Sequence, residues 1–134
     1  MPPCSILFLC IENSNRSQMA EAFAKIHGAH IVNALSAGSA PSGKINPAAV
    51  EAMKQKGYDL AAHKSKSADE FRAVSFDYVI TMGCGDECPF IPAKYHEDWD
   101  IPDPKEMNLK EFFIVRDSIE TKVIGLIEKI KLEN

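Results

Sequence analysis

The sequence predicts an α/β fold in which helices cover both faces of a parallel sheet. Three observations lead to this prediction: strand and helix patterns alternate along the chain, the clearest strands are continuous apolar runs, and no internal repeat or linker interrupts the order. Continuous apolar runs are typical of parallel strands, which are buried on both faces. The predicted order is β-α-β-α-β-β-α, which favours a layered α/β domain.

The first half of the chain contains two predicted strands and two predicted helices. Residues 5–9 form an apolar run that predicts a buried strand. Residues 17–27 predict a helix, because apolar side chains recur there at steps of four and three: Met19, Phe23 and Ile26. A short second strand is predicted within HIVNALS, before the turn-rich SAGSAPSGKINP. Asn46-Pro47 predicts the start of the next helix, since proline is well tolerated in a first turn.

The second half adds two strands and a long helix. SADEFRA predicts a short helix, FDYVITM a clear strand and YHEDWDI a weaker strand at the edge of the sheet. A helix is predicted over residues 109–132 because its apolar side chains recur at steps of three and four: Phe112, Val115, Ile119, Val123, Leu126 and Ile130.

Length, composition and charge indicate one ordinary domain over residues 1–134. The chain is 46% hydrophobic and 25% charged, with a formal net charge of −4. These values are typical of a globular protein, and the acidic balance without a basic stripe argues against nucleic acid as a partner. The sequence contains no apolar run of membrane-spanning length and no secretory leader at its start. We therefore expect no membrane association and a cytoplasmic location.

A run of small and polar residues, CIENSNRS, joins the first predicted strand to the first predicted helix. Cys10 ends the strand, and the carboxyl ends of parallel strands are where ligands bind. Five residues separate Cys10 from Arg16, which is enough chain for backbone N–H groups to surround a tetrahedral oxyanion. The guanidinium of Arg16 suits two oxygens of such an anion. The predicted oxyanion-binding residues are Ile11, Glu12, Asn13, Ser14, Asn15, Arg16 and Ser17.

Cys10 is predicted to be a nucleophile. The positive end of the following helix and a hydrogen bond from Ser17 favour its thiolate, which is the reactive form. The amide of Asn13 is expected to brace the loop from within. The alternative is a buried packing cysteine, but that interpretation explains neither Arg16 nor Ser17. The sequence contains neither a Walker-type phosphate loop nor a dinucleotide fingerprint.

Cys84 and Cys88 follow the predicted FDYVITM strand, at the same edge of the sheet as Cys10. Gly83 and Gly85 flank Cys84 and give that loop conformational freedom. A zinc site with His96 and Cys4 is one alternative, although C-x3-C is not the usual zinc knuckle. A loop without a chemical role is another alternative.

These motifs together resemble a known family. C-x5-R-S after the first strand, then QMAEAFA, SAG, NPAAVEAM, TMGCGDECP and DWDIPDP, are similar to the low-molecular-weight phosphatase superfamily, and within it to arsenate reductases of the thiol-cascade type. The resemblance implies a four-stranded parallel sheet and a thiolate that attacks arsenic. It also implies that Cys84 and Cys88 form a disulfide during turnover, since reduction needs extra thiols whereas phosphate hydrolysis needs only water.

The resemblance implies further parts of the site. Asp103, in IPDPK, would be the general acid, although Asp-Pro alone is an ordinary turn and Asp98 and Asp100 lie nearby. The oxyanion would be arsenate or a phosphate-like anion. No tightly bound cofactor and no metal are expected. An external thiol would restore the enzyme: thioredoxin, glutaredoxin or a low-molecular-weight thiol.

Some positions depart from the family pattern. Asn15 stands where many relatives have a further cysteine, and Glu12 is expected to point outward because its carboxylate repels anions. Asn13, Ser17, Glu21 and Ser36 are predicted to support the loop. Some relatives hold a monovalent cation there, and the ammonium of Lys66 is predicted to replace it beside Glu21. A solvated surface lysine is the alternative.

Two other functions compete with arsenate reduction. One is a low-molecular-weight protein tyrosine phosphatase, which Lys105 and Glu106 disfavour because those phosphatases tend to carry tyrosines at these positions. The other is a non-catalytic oxyanion- or metal-binding protein.

Overall fold

The computed structural model describes residues 2–133 and contains one four-stranded parallel sheet. The strands are β1 (Cys4–Cys10), β2 (Val32–Gly38), β3 (Phe76–Thr81) and β4 (Ala93–Asp98). They lie in the spatial order β2-β1-β3-β4, and every neighbouring pair is parallel. β1 has a strand on each side, which explains why its sequence is a continuous apolar run. The predicted four-stranded parallel sheet is confirmed.

Three α-helices connect and follow the strands: α1 (Arg16–His27), α2 (Pro47–Lys54) and α3 (Leu109–Glu133). The side chain of Asn46 caps α2 by accepting a hydrogen bond from the backbone of Ala48 at 2.9 Å, as the Asn-Pro pair predicts. The SADEFRA segment is a 3-10 turn, Ala68–Phe71, rather than an α-helix. Two further 3-10 turns, Leu60–Ala62 and Gly85–Glu87, were not predicted.

The two faces of the sheet are covered differently. Ile6 and Phe8 of β1 pack into a cluster with side chains from all three α-helices. Leu7 and Leu9 point to the other face, where the turn at residues 68–71 and the chain after β3 supply the cover. Helical segments therefore cover both faces, as predicted, but they are α-helices on one face and short 3-10 turns on the other.

The helix patterns predict the buried side chains well, with one exception. All six apolar side chains predicted for α3 are buried. On α1, Met19 and Phe23 are fully buried, but Ile26 is 39% exposed because the last turn of that helix extends beyond the core. In the chain from residue 2 to residue 133, no helix combines the length and apolarity that crossing a membrane requires.

Pairing between β1 and β3 brings two loops together. Leu9 is in register with Thr81, and the backbone N–H of Met82 donates to the carbonyl of Leu9 at 2.8 Å. Both chains therefore leave the sheet at the same edge. One continues into the Cys10 loop and the other into the Cys84 loop.

Candidate active site

Cys10 is the last residue of β1, and its side chain is nearly fully buried beside the start of α1. Its Sγ lies 2.9 Å from the hydroxyl of Ser17. That hydroxyl accepts a hydrogen bond from the amide of Asn13 at 2.7 Å, so its own proton is available to the sulfur. The hydroxyl of Ser17 and the positive end of α1 therefore both lie beside the sulfur, an arrangement that suits a nucleophilic cysteine.

Asn13 holds the loop in an unusual conformation. It is fully buried and has a φ of 53°, in the left-handed region that asparagine tolerates better than most residues. Its side-chain oxygen accepts hydrogen bonds at 2.9 Å from the amide of Gln18 and from the backbone of Lys66. Asn13 and Ser17 therefore contact each other beneath the loop, and their role as loop support stays a prediction. Ser17 lies in the first turn of α1, whose N-cap is Asn15, and its hydroxyl contacts the Cys10 sulfur.

Arg16 and Asp103 complete the site from two sides. The guanidinium of Arg16 is buried, donates to the carbonyl of Ile101 at 3.0 Å and lies 3.8 Å from Asp103 Oδ2. Asp103 is half exposed, so it is open to solvent as well as to the loop. The small cavity at this point is lined by Cys10, Glu12, Ser14, Asn15, Arg16 and Asp103.

The remaining loop residues have different surroundings. Ile11 packs on the second face of the sheet and does not line the cavity, and its carbonyl accepts from Ala40 at 2.8 Å. Asn15 is buried at the cavity, and among residues 2–133 its side-chain oxygen is one of two buried side-chain polar atoms without a hydrogen-bond partner. A buried acceptor without a donor is costly unless a ligand or water supplies one.

The loop after β3 lies against Arg16. Gly83 has a φ of +82°, and a Cβ at this position would collide with the Arg16 guanidinium. Only glycine satisfies both conditions without strain. Cys84 and Cys88 form a disulfide with their Cα atoms 5.5 Å apart, which confirms the predicted pairing.

The disulfide also bears on the zinc alternative. Because both sulfurs are bonded to each other, neither is available to a metal, and His96 instead contacts the carbonyl of Ile91 at 2.9 Å. Within the described residues, no group of three or more His, Cys, Asp or Glu side chains is placed to hold a metal ion.

Glu21 lies buried beneath the loop, but its partners differ from the prediction. Its carboxylate accepts from Ser36 at 2.6 Å and from Lys25 at 2.5 Å. The ammonium of Lys66 donates instead to the carbonyl of Lys64 at 3.0 Å, and in the part of the chain that the structure describes it forms no ion pair with Glu21. Lys25 takes this place because residues four apart on a helix are neighbours. Lys66 contacts the loop only through its backbone.

Sequence reasoning missed a buried polar network behind the loop. Gln18 donates to Asn13 and accepts at 2.9 Å from His63 Nδ1, whose Nε2 lies 2.6 Å from the hydroxyl of Tyr58. Since Gln18 Oε1 is an acceptor, Nδ1 carries the proton and Nε2 accepts from tyrosine, which describes a neutral imidazole. Burial lowers the pKa of His63, which agrees with this form, while Glu21 opposes the shift. The sequence held no clear signal for this network, because Gln18 is one of several polar side chains in the first half of α1, with Arg16, Ser17 and Glu21.

Comparisons with known proteins agree with this geometry. Residues 5–134 match the family described as low molecular weight phosphotyrosine protein phosphatase. The chain belongs to this family. Among similar proteins is a glutaredoxin arsenate reductase from Synechocystis sp., 37% identical over 128 residues that cover 93% of this chain and 97% of the relative.

Solved structures extend the match. An arsenate reductase in the phosphate binding state has a TM-score of 0.84 at 35% identity and covers 95% of this chain and 98% of its own. A thioredoxin-dependent arsenate reductase from Corynebacterium glutamicum has a TM-score of 0.82 at 34% identity, covering 99% of this chain and 64% of its own. The resemblance to arsenate reductases of this family, predicted from the sequence, is confirmed.

Proposed function

We infer that this chain is an arsenate reductase in which Cys10 attacks arsenate and Cys84 and Cys88 take up the oxidising equivalents. The observation that carries this inference is the Cys84–Cys88 disulfide, on a loop that lies against Arg16. A phosphatase of the same fold needs the nucleophile, the arginine and an acid, but it has no use for a second and third thiol.

The first step is nucleophilic. The oxyanion binds to the loop N–H groups and to Arg16, and the Cys10 thiolate forms a sulfur–arsenic bond. A hydroxyl group of arsenate takes a proton from Asp103 and leaves as water, while the new sulfur–arsenic bond replaces the broken arsenic–oxygen bond. The proposed acid role of Asp103 is supported by its position in the wall of the cavity that Cys10 also lines.

The next steps transfer two electrons to arsenic. The Cys84 thiolate attacks Cys10 Sγ, and the electron pair of the sulfur–arsenic bond stays with arsenic, which leaves as arsenite. Cys88 then attacks Cys84, which releases the Cys10 thiolate and gives the Cys84–Cys88 disulfide. We assign Cys84 the first attack because it is buried beside the site, whereas Cys88 is partly exposed.

An external dithiol returns the two electrons. The relatives include one enzyme described as a glutaredoxin arsenate reductase and one described as thioredoxin-dependent. We propose a thioredoxin-like or glutaredoxin-like reductant for this chain, and it would attack Cys88 because that sulfur is the more accessible. A cytoplasmic location, where such reductants operate, stays our prediction, as does a single domain.

The buried oxygen of Asn15 suits an oxyanion that carries a proton. Arsenate and phosphate keep a hydroxyl near neutral pH, which can donate to this acceptor, whereas sulfate is fully deprotonated. We therefore expect phosphate to compete with arsenate much better than sulfate does. Equal inhibition by the two anions would remove this role of Asn15.

The cysteine requirement tests the proposed function. Cys84→Ser and Cys88→Ser should each lower arsenate turnover with a thioredoxin system by orders of magnitude, while slow hydrolysis of an aryl phosphate changes little. Cys4→Ser is the matched control and should retain turnover. One equivalent of arsenate should convert the reduced wild-type protein into the Cys84–Cys88 disulfide, visible by peptide mass. Normal arsenate reduction by both serine variants would contradict the cascade, and efficient aryl phosphate hydrolysis without arsenate reduction would favour the phosphatase.

A further inference from the structure

We propose that Glu12 and Lys105 form a clasp across the mouth of the site that restricts it to small oxyanions without an organic substituent. Here the term clasp means the ion pair between Glu12 Oε2 and Lys105 Nζ, which are 2.8 Å apart. It joins the oxyanion loop to the segment that follows Asp103. The proposal rests on the proposed function of the site as an oxyanion-binding centre.

The clasp is anchored at both ends. The carbonyl of Glu12 accepts hydrogen bonds at 3.0 Å from the backbone of Ser42 and from the hydroxyl of Ser65. The backbone N–H of Lys105 donates to Asp103 Oδ1 at 3.0 Å, and the other carboxylate oxygen of Asp103 faces Arg16. Because these hydrogen bonds fix the backbone at Glu12 and at Lys105, the ion pair between their side chains connects the two loops.

These contacts form a closed ring beside the nucleophile. The ring runs from Glu12 to Lys105, to Asp103, to Arg16 and back along the loop backbone. Glu12, Asp103 and Arg16 line the same small cavity as Cys10. The aryl group of a phosphate ester must extend out of a cavity this small, whereas a free tetrahedral anion need not. Because Glu12 lines the cavity and Lys105 is paired with it, we expect the clasp to obstruct the aryl group.

The clasp also sets the charge at the mouth. A carboxylate in an anion-binding loop repels the ligand, and the Lys105 ammonium cancels that repulsion. Loss of the lysine leaves the Glu12 charge uncompensated, whereas loss of the carboxylate leaves a positive charge near the ligand. The two single substitutions should therefore change anion affinity in opposite directions, which loss of a merely structural contact would not do.

Four variants test the proposal: Lys105→Met, Glu12→Gln, the double variant, and Lys131→Met as a control. Lys131 is paired with Glu128 on the surface of α3 at 3.3 Å, so its loss changes the net charge by the same amount away from the site. The dissociation constant of inorganic phosphate is measured by calorimetry, and hydrolysis of p-nitrophenyl phosphate is measured alongside. Neither measurement requires arsenate turnover, so failure of the arsenate reductase assignment remains distinguishable.

We expect Lys105→Met to weaken phosphate binding about fivefold and Glu12→Gln to strengthen it by a similar factor, the range of an exposed ion pair. In the double variant phosphate affinity should return near the wild-type value. For each variant, kcat/KM for p-nitrophenyl phosphate is divided by the association constant of inorganic phosphate. This ratio should be higher than in wild type for all three clasp variants, and Lys131→Met should match wild type in both measurements. The proposal would be wrong if both single variants shifted phosphate affinity in the same direction. It would also be wrong if the ratio of aryl phosphate kcat/KM to phosphate affinity stayed unchanged in the clasp variants.

Discussion

Cys4 and Cys10 are the first and last residues of β1, and the charges that face their sulfurs are opposite in sign. Burial is the largest cause, and the nearby carboxylate of Asp77 the next, of a shift that raises the pKa of Cys4 to about 11. Cys10 instead faces the positive end of α1, the Ser17 hydroxyl and the Arg16 side of the cavity. In a parallel sheet the carboxyl ends of strands meet helix N-termini, so one cysteine is kept as a thiol and the other as a nucleophile.

The largest effect expected from this comparison is loss of turnover. Cys10→Ser should abolish arsenate reduction while the protein stays folded, because a hydroxyl is a far weaker nucleophile than sulfur and cannot form the disulfide that the cascade needs. Cys4→Ser should keep turnover within about twofold, the range of surface or distant substitutions. Steady-state kinetics and thermal unfolding measure both variants. Residual turnover by Cys10→Ser, or its loss in Cys4→Ser, would break the contrast between the two ends of β1.

A smaller effect is expected from the hydrogen bond to the Cys10 sulfur. Ser17→Ala removes a donor to a charged group, which typically contributes about 1.5–3 kcal/mol, so alkylation of Cys10 at neutral pH should slow roughly 10-fold to 100-fold. Ser39→Ala is the control, because the Ser39 hydroxyl is buried without a partner among the described residues. Rates are measured by mass spectrometry with iodoacetamide on the reduced protein. Equal rates for the two alanine variants would show that Ser17 does not sustain the thiolate.

The Cys10 end of β1 could be predicted from local sequence, but its support could not. The strand, the loop and α1 are contiguous, so spacing alone brings Cys10, Arg16 and Ser17 together. The contacts behind and in front of the loop join distant segments: Gln18 to His63 across 45 positions and Glu12 to Lys105 across 93. The Lys25 partner of Glu21 is local by contrast, because the two residues are four apart on α1 and helix spacing alone makes them neighbours. The sequence therefore contained the signal for Lys25, and the prediction of Lys66 overlooked it.

The network behind Cys10 predicts an acid-sensitive stability. The folded state lowers the pKa of His63, so below about pH 6.5 this side chain is protonated in the unfolded chain more than in the folded chain. The free energy of unfolding should therefore fall as pH falls from about 7 to about 5. In His63→Gln, which cannot be protonated, this slope should be shallower than in wild type. Exposed His30→Gln is the control and should keep the wild-type slope in denaturant titrations; identical slopes for wild type and His63→Gln would contradict the prediction.

The smallest effect concerns the Cys4 end of the strand. Asp77→Asn removes the nearest negative charge but keeps an oxygen for the backbone of Ser5, which donates to Asp77 at 2.8 Å. The pKa of Cys4 should fall below about 11 yet stay above its usual 9.0, because burial is the larger cause of the shift and remains. Thiolate absorbance against pH measures it in a Cys10→Ser background with the Cys84–Cys88 disulfide intact, where Cys4 is the one thiol left to titrate. The unfolded chain loses this proton first as pH rises, so stability should decline above about pH 9, and less steeply in Asp77→Asn. An unchanged titration curve would mean that burial alone keeps Cys4 protonated, and the contrast with Cys10 would then be one of solvation rather than of charge.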